Sequence, residues 1–122
     1  MIKQIPPHCG DEACSSCVVA GEHIFLAHHG GGPAIKEVKH PMRETFASMK
    51  QTFASANATP DDIVQLPFHL KDTADFDAAR AVFFAYFPDG FSAKMTVTTD
   101  FIDDACRCQM TGIAKPPAKE CP

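Results

Sequence analysis

The polar side chains with the clearest chemical use lie in the last third of the chain, between Phe91 and Ala114. Lys94 and Thr96 alternate along one segment of this stretch, and Arg107 and Gln109 alternate along the next. Side chains two positions apart project from the same face of a strand, so each pair is predicted to share a face. An ammonium and a carboxamide that face one site could hold a small anion and orient a water molecule. The same pattern also fits a solvated sheet face without a function.

Six cysteines raise the question of a metal site or a disulfide framework. Cys14 and Cys17 are spaced like one pair of zinc ligands, with Cys9 close by, but no second pair follows at a spacing that zinc sites use. Cys106 and Cys108 would point the same way from a strand, which suits packing in a core. Free buried thiols are the default in a reducing compartment, and we therefore assign no metal ligand.

The segment HHGGGP, residues 28–33, is predicted to be a loop because its glycines and proline fit no regular element. It lacks the ending of a phosphate-binding loop, and we predict no cofactor. His28 and His29 would diverge if they lay on a strand, so they are poor joint ligands for one ion. One of them could face a pocket as a general base, and a hydrogen-bonded structural histidine is the alternative.

Length and composition limit the classes of protein to consider. The 122 residues suit a single domain over 1–122, in which 115–122 form a proline-rich tail. Hydrophobic residues make up 45% and charged residues 21%, as in ordinary soluble domains. A net charge of −4, without a basic cluster among aromatics, argues against nucleic-acid binding. No apolar run is long enough to span a membrane and no secretory signal is evident, so we expect a cytoplasmic location.

Hydrophobic periodicity predicts an α+β domain with six strands and two helices. The strands are expected at 1–5, 17–20, 23–27, 62–70, 93–98 and 106–114. The second and third strands form a hairpin in this interpretation, and so do the last two. Pro67 cannot donate to a ladder, so its strand is predicted to be an edge strand or to contain a bulge at that position.

The helices are predicted from apolar residues that recur every three or four positions. The first, over 38–56, would bury a stripe of methionines and phenylalanines: Met42, Phe46, Met49 and Phe53. The second would start after Asp72, with Asp75 placed as in a capping box. Its predicted buried side chains are Phe76, Ala79, Phe83 and Phe87. Helices in a single layer leave the other face of the sheet to solvent or to another subunit, and we expect assembly through that face.

Taken together, these segments resemble the RidA/YjgF family, which includes imine and enamine deaminases and proteins described as endoribonuclease L-PSP-like. The resemblance covers 14–114 and rests on the hairpin VVAGEHIFLA, the segment TPDDIVQLPFHLKDTADFDAARAVFFAYF and the finish FSAKMTV…CRCQMTGIA. It implies a chorismate-mutase-like fold, a mixed six-stranded sheet with two helices on one face. It also implies a homotrimer around a central β-barrel, with ligand sites in the clefts between subunits.

The resemblance further assigns roles to residues of this chain. Lys94 stands where the active deaminases have an arginine that clamps the substrate carboxylate. Gln109 stands where they have a glutamate that positions or activates water. Cys14 matches a family tyrosine, His28 lies near a family glycine, and Arg80 matches an asparagine of the second helix.

These departures change the expected chemistry. Lys94 keeps a positive charge but loses the planar fork of arginine, so it would hold a carboxylate as a point charge. Gln109 can orient a water molecule but cannot accept its proton. General acid–base catalysis typically raises the reaction rate by ~10²–10⁴-fold, so its loss would weaken hydrolysis. His28 or His29 as a base and Cys14 as a thiolate are the candidates to supply this contribution. A Schiff base at Lys94 would need a strongly lowered pKa.

Two functions follow from this interpretation. In the first, the protein is a hydrolase of small carboxylated imines, enamines or related carbonyl compounds, with Lys94, Arg80 and Thr96 binding the substrate. In the second, a trimeric binding protein holds a small acidic metabolite in the same cleft without turnover. Ribonuclease activity is a third possibility, which the acidic net charge disfavours.

Overall fold

The computed structural model describes residues 2–7, 13–30, 38–88, 90, 92–102 and 106–116. Its strands are β1 (Ile2–Ile5), β2 (Cys17–Ala20), β3 (His23–Gly30), β4 (Ile63–Leu70), β5 (Ala93–Thr98) and β6 (Cys108–Ala114). Its helices are α1 (Lys39–Ser55) and α2 (Phe76–Tyr86), with 3₁₀ turns at Pro60–Asp62 and Thr73–Asp75. The strands form one sheet in the order β1-β2-β3-β6-β4-β5, with β4 and β5 parallel and the other neighbouring pairs antiparallel. The predicted mixed six-stranded sheet with two helices is confirmed.

The structure bears on only part of the loop predicted at 28–33 and of the tail predicted at 115–122. Strand β3 continues through His28 and His29 to Gly30, so the predicted loop is wrong over 28–30. The rest of that loop, Cys9 and residues 117–122 of the tail lie outside the described residues.

The last two strands do not pair with each other. Strand β4 lies between them, with Leu66 beside Lys94 of β5 and His69 beside Gln109 of β6. The predicted hairpin of β5 and β6 is therefore wrong. The order of elements explains the difference, because α2 connects β4 to β5 as a crossover, and a helical crossover places two strands parallel in one sheet.

Both helices pack on one face of the sheet, which we call the helix face. The four side chains predicted for the α1 stripe are each at most 1% exposed: Met42, Phe46, Met49 and Phe53. Burying such a side chain stabilises the fold by about 1.5–3 kcal/mol relative to leaving it exposed. Ala79, Phe83 and Phe87 are also buried as predicted, but Phe76 is 40% exposed and Val82 is buried in addition.

Two aspartates fix the start of α2. Asp72 accepts a hydrogen bond from the Ala74 backbone N–H at 2.9 Å and so caps the 3₁₀ turn before the helix. The sequence predicted that Asp75 would take part in a capping box, and this prediction is wrong. The Asp75 carboxylate instead forms a bidentate ion pair with Arg107, at 2.6 Å from Nη2 and 3.1 Å from Nε. This pair joins α2 to the residue before β6.

Pro67 lies in β4, an interior strand, so the predicted edge position is wrong. The register of β4 against β6 shifts between Ile63 and Gln65, before the proline. Leu66 and Phe68 flank it and are at most 1% exposed. Their burial, about 1.5–3 kcal/mol each, outweighs one missing ladder hydrogen bond of about 0.5–1.5 kcal/mol.

Among the described residues, no helix covers the second face of the sheet, which we call the open face. Phe25, Met95 and Val97 project from it and are 46%, 68% and 41% exposed. Apolar side chains grouped on an exposed face are typical of a surface that another copy covers. Neither helix of the described residues is long and apolar enough to cross a membrane.

Candidate functional site

A β-bulge in β3 decides which of the adjacent histidines faces outward. The register of β3 against β6 shifts by one residue between Leu26 and His29, so both of these side chains are buried while His28 is exposed on the open face. His29 Nδ1 donates to the Ala27 carbonyl at 2.8 Å, and Nε2 accepts from the Thr52 hydroxyl at 2.8 Å. His29 therefore anchors α1 to the sheet and is not accessible as a base.

His28, His69 and Gln109 meet on the open face, and we call them the histidine cluster. His28 Nδ1 lies 3.2 Å from Gln109 Oε1, and the rings of His28 and His69 stack with centroids 5.2 Å apart. An amide oxygen can only accept, so Nδ1 of His28 is the donor in this contact. In a neutral His28 ring, the lone pair would then lie on Nε2.

The surroundings of His69 disfavour a positive charge in this cluster. Burial lowers the pKa of His69, and His28 lowers it further, against a backbone hydrogen bond with Gln109 that raises it. The His69 Nδ1 atom is buried and has no hydrogen-bond partner among the described residues. A neutral His69 leaves the stacked His28 ring without a cationic neighbour.

Gly30 leaves room for the Gln109 side chain. A Cβ atom at Gly30 would lie 3.3 Å from Gln109 Cγ and 3.3 Å from the Cys108 carbonyl oxygen. Both distances are shorter than optimal van der Waals separations, so a larger residue would push the carboxamide away from His28. The glycine therefore helps to set the hydrogen bond between β3 and β6.

A second candidate site lies on the helix face, where β5 passes α2, and we call it the cation cleft. It is a cavity of about 210 Å³ lined by Arg80, Phe83, Phe84, Ser92 and Lys94. Lys94 Nζ lies 4.0 Å from the centroid of the Phe83 ring, and Arg80 Cζ lies 5.5 Å from that of Phe84. Within the described part of the chain, neither cation has an acidic side chain at ion-pair distance. The cleft can therefore receive a small anion.

Phe83, the aromatic residue of the cation cleft that contacts Lys94, belongs to the core, whereas Phe84 is 54% exposed. Phe83 packs edge-on against Phe68 at 5.0 Å and against Phe46 at 5.6 Å, between ring centroids. Burial of the Lys94 amine, followed by the charge of Arg80, lowers the pKa of Lys94. The cleft thus combines an aromatic wall, which attracts the ammonium, with burial and a neighbouring cation, which disfavour its charge.

Three further residues were predicted at the site, and the structure places only one of them beside a residue of the cation cleft. Thr96 is half-buried on the helix face, on the same side of β5 as Lys94, as the alternation predicted. Cys14 lines a separate cavity with Pro6 and Pro7, and its thiol donates to the Ser15 carbonyl at 3.1 Å. Arg107 is engaged with Asp75, so it does not extend the face of Gln109 as the sequence suggested.

Within one chain, Lys94 and Gln109 do not line one site, because they lie on opposite faces of the sheet. Lys94 is level with Leu66, which is fully buried under the helices, and it touches Phe83 of α2. Gln109 is level with His69 and bonds to His28 on the open face. One chain therefore carries the cation cleft and the histidine cluster on opposite sides of its sheet.

Comparison with known proteins identifies the fold but not the chemistry. The sequence matches no family model and no curated protein. A YjgF-family protein from Neisseria meningitidis aligns with a TM-score of 0.88 at 16% identity, over 98% of each chain. A second YjgF-family protein, from Mycobacterium tuberculosis, aligns with a TM-score of 0.86 at 15% identity, over 94% of this chain and 99% of that chain. The chain has the YjgF fold.

A third YjgF-family structure, from Streptococcus pyogenes, aligns at 0.82 and 17% identity, over 96% of this chain and 98% of that one. The chorismate-mutase-like, YjgF-like fold that the sequence motifs implied is therefore confirmed. A fold does not fix a reaction, so the chemistry has to be argued from the two sites.

Sequence reasoning missed His69, which completes the histidine cluster. The signal was present in the alternation of β4: Leu66, Phe68 and Leu70 occupy the core, which leaves His69 on the open face. What no pattern in the sequence supplied was the pairing of β4 with β6, which brings His69 beside Gln109. Within the described residues, no three histidine, cysteine or acidic side chains come together as a metal site.

Proposed function

We propose that this chain is a divergent member of the RidA/YjgF family, a cytoplasmic homotrimer that hydrolyses small carboxylated imines or enamines in clefts between its subunits. The observation that carries this proposal is the cation cleft. Lys94 and Arg80 face one cavity over an aromatic wall, and neither has an acidic partner among the described residues. Two adjacent, unneutralised cations are a site for a carboxylate.

The volume of the cleft suits a small substrate. A cavity of about 210 Å³ is below the usual range of drug-sized pockets, so it accepts a metabolite of a few heavy atoms. Arg80 provides the planar fork that binds a carboxylate through two hydrogen bonds, and Lys94 adds the second charge. Thr96 is half-buried two residues beyond Lys94 on the same face of β5, and we assign its hydroxyl to the far end of the bound substrate.

Water activation is assigned to the histidine cluster. Gln109 fixes the tautomer of His28, which leaves Nε2 of His28 free to accept a proton from water. This division of labour replaces the single carboxylate that the family resemblance places at the position of Gln109. The carboxamide orients the imidazole, and the imidazole is the base.

Assembly is required because the two sites lie on opposite faces of one sheet. Substrate carboxylate and activated water can meet only if the cation cleft of one subunit adjoins the histidine cluster of another. The exposed Phe25, Met95 and Val97 support such assembly, because covering them removes apolar surface from water. Each site would then be built by two subunits.

A binding protein without turnover is the second candidate. Gln109 supports it, because a carboxamide cannot accept a proton and a hydrogen bond already occupies its oxygen. In that case the assembled cleft would hold a small acidic metabolite, with the cation cleft supplying the affinity. Both candidates share the carboxylate site and differ only in the fate of the imine bond.

The test supplies the protein with 2-imino acids formed in situ by an amino-acid oxidase and follows release of the 2-oxo acid. We expect catalysed hydrolysis, with kcat/KM about 10–100-fold lower in Lys94→Ala because a charged contact is lost. Lys50→Ala, at an exposed lysine of α1, is the matched control and should be unchanged. If pyruvate raises the Tm but no imine is hydrolysed, the binding function is correct; if neither occurs, both functions are wrong.

A further inference from the structure

Lys94 has surroundings that suit a nucleophile rather than a simple anion holder. Its amine rests on the Phe83 ring at 4.0 Å, lines the same cavity as Arg80, and has no carboxylate partner among the described residues. Lysines become nucleophilic when an apolar wall desolvates them or another cation stands beside them. Although Lys94 is an exposed residue, its amine lies against the Phe83 ring and shares a cavity with Arg80, so both influences act on it.

We infer that Lys94 reacts covalently, forming a Schiff base with the carbonyl or imine carbon of a small 2-oxo or 2-imino acid whose carboxylate is held by Arg80. The choice of substrate class rests on the proposed function, whereas the covalent step does not. Arg80 is the better carboxylate ligand of the two, because its guanidinium binds both oxygens at once. With the carboxylate on Arg80, the Lys94 amine is left for the adjacent carbon.

The step balances without a cofactor. The lone pair of neutral Lys94 Nζ forms a bond to the imine carbon, and the electrons of the C=N bond move to the substrate nitrogen. That nitrogen takes up the two protons that Nζ gives up and leaves as ammonia, and the remaining electron pair on Nζ closes the C=N bond of the Schiff base. Water then adds to the Schiff-base carbon, the bond to Nζ breaks, and the 2-oxo acid leaves with the amine restored. A 2-oxo acid added directly forms the same Schiff base with loss of water.

Two features favour attack by the Lys94 amine: its lowered pKa and its fixed position against the cavity wall. Burial and the charge of Arg80 lower the pKa of Lys94 from the ordinary 10.5, which raises the neutral fraction near neutral pH. The Phe83 face attracts the ammonium by about 0.5–1 kcal/mol at an exposed site and so limits this effect. The ring also fixes the amine against the cavity wall, because Phe83 is itself held by the core.

The experiment is reductive trapping. Wild-type protein is incubated with pyruvate and sodium cyanoborohydride, and intact-mass and peptide mass spectrometry count and locate the adduct. We expect one adduct per chain, on the peptide that contains Lys94. Lys94→Arg should abolish it, Arg80→Met should slow it about tenfold or more through loss of the carboxylate contact, and Lys50→Arg should leave it unchanged. The rate of trapping should be half-maximal at a pH below 10.5, the pKa of an ordinary lysine.

The outcomes separate this inference from the proposed function. Absence of an adduct, or adducts spread evenly over surface lysines, would overturn the inference. Imine hydrolysis that persists in Lys94→Arg without trapping also overturns it, while the hydrolase function stands. Trapping at Lys94 without any imine hydrolysis supports the inference and contradicts the proposed hydrolase function.

Discussion

The ion pair between Asp75 and Arg107 should stabilise the frame that carries both candidate sites. It joins the start of α2, which bears Arg80, to the residue before β6, which bears Gln109. The two side chains are 12% and 31% exposed, and the guanidinium contacts the carboxylate through Nε and Nη2 at 2.6–3.1 Å. The perturbation is a double-mutant cycle of Asp75→Asn, Arg107→Met and the two together.

The expected magnitude follows from the partial burial of this pair. Hydrogen bonds to charged groups contribute about 1.5–3 kcal/mol, so each single change should lower the free energy of unfolding by that amount. The coupling energy should be about 1–2 kcal/mol, above the 0–1 kcal/mol of exposed pairs and below the loss of about 3–5 kcal/mol when a fully buried pair is broken. Arg107→Lys keeps the charge without the fork and should recover only part of the loss.

The assay is urea denaturation followed by circular dichroism at one fixed protein concentration. The matched control is the pair of His40 and Glu44 on α1, which lie 3.3 Å apart but are 61% and 53% exposed. Its coupling energy should be below about 0.5 kcal/mol. If the Asp75–Arg107 cycle gives the same coupling as this exposed pair, the reasoning about the frame is wrong.

Three further predictions address the histidine cluster and the open face. Burial lowers the pKa of His69 below its ordinary 6.5, so the unfolded chain binds more protons as the pH falls past that value. The free energy of unfolding should therefore drop between about pH 7 and about pH 5, and drop less in His69→Asn; equal slopes in urea titrations would contradict this. Gln109→Leu removes the acceptor that orients His28 and should lower kcat for imine hydrolysis by ~10²-fold or more; an unchanged kcat counts against the assigned water site. Met95→Glu places a charge on the open face and should yield monomers in size-exclusion chromatography with light scattering, whereas Ala47→Glu on the exposed side of α1 should not; an intact oligomer in Met95→Glu would show that this surface is not the interface.

Local patterns in the sequence were enough to predict the elements of the fold. The stripe from Met42 to Phe53 follows helical spacing, and all four of its side chains are buried. The alternation in β5 placed Lys94 and Thr96 on one face, as the structure has them. These features depend on residues close together in the chain, so their spacing alone determines them.

The relation between the two sites could not be predicted in the same way. The sequence indicated that Lys94 and Gln109 could line one site because β5 and β6 were predicted to pair as a hairpin. Strand β4 separates them instead, and its registers put Lys94 level with buried Leu66 and Gln109 level with His69. Strand order and the bulge before His29 are set by long-range pairing, which leaves no local signal.

The most direct test of a site built by two subunits is complementation between inactive variants. Lys94→Ala lacks the cation of one face, and Gln109→Ala lacks the carboxamide of the other, so each alone should be nearly inactive in imine hydrolysis. Because the two residues lie on opposite faces of one chain, mixed assemblies formed by refolding the variants together should contain wild-type pairs at about a quarter of their sites. We predict that the mixture recovers about that fraction of wild-type turnover. Mixed assemblies that remain as inactive as the separate variants would contradict the shared site.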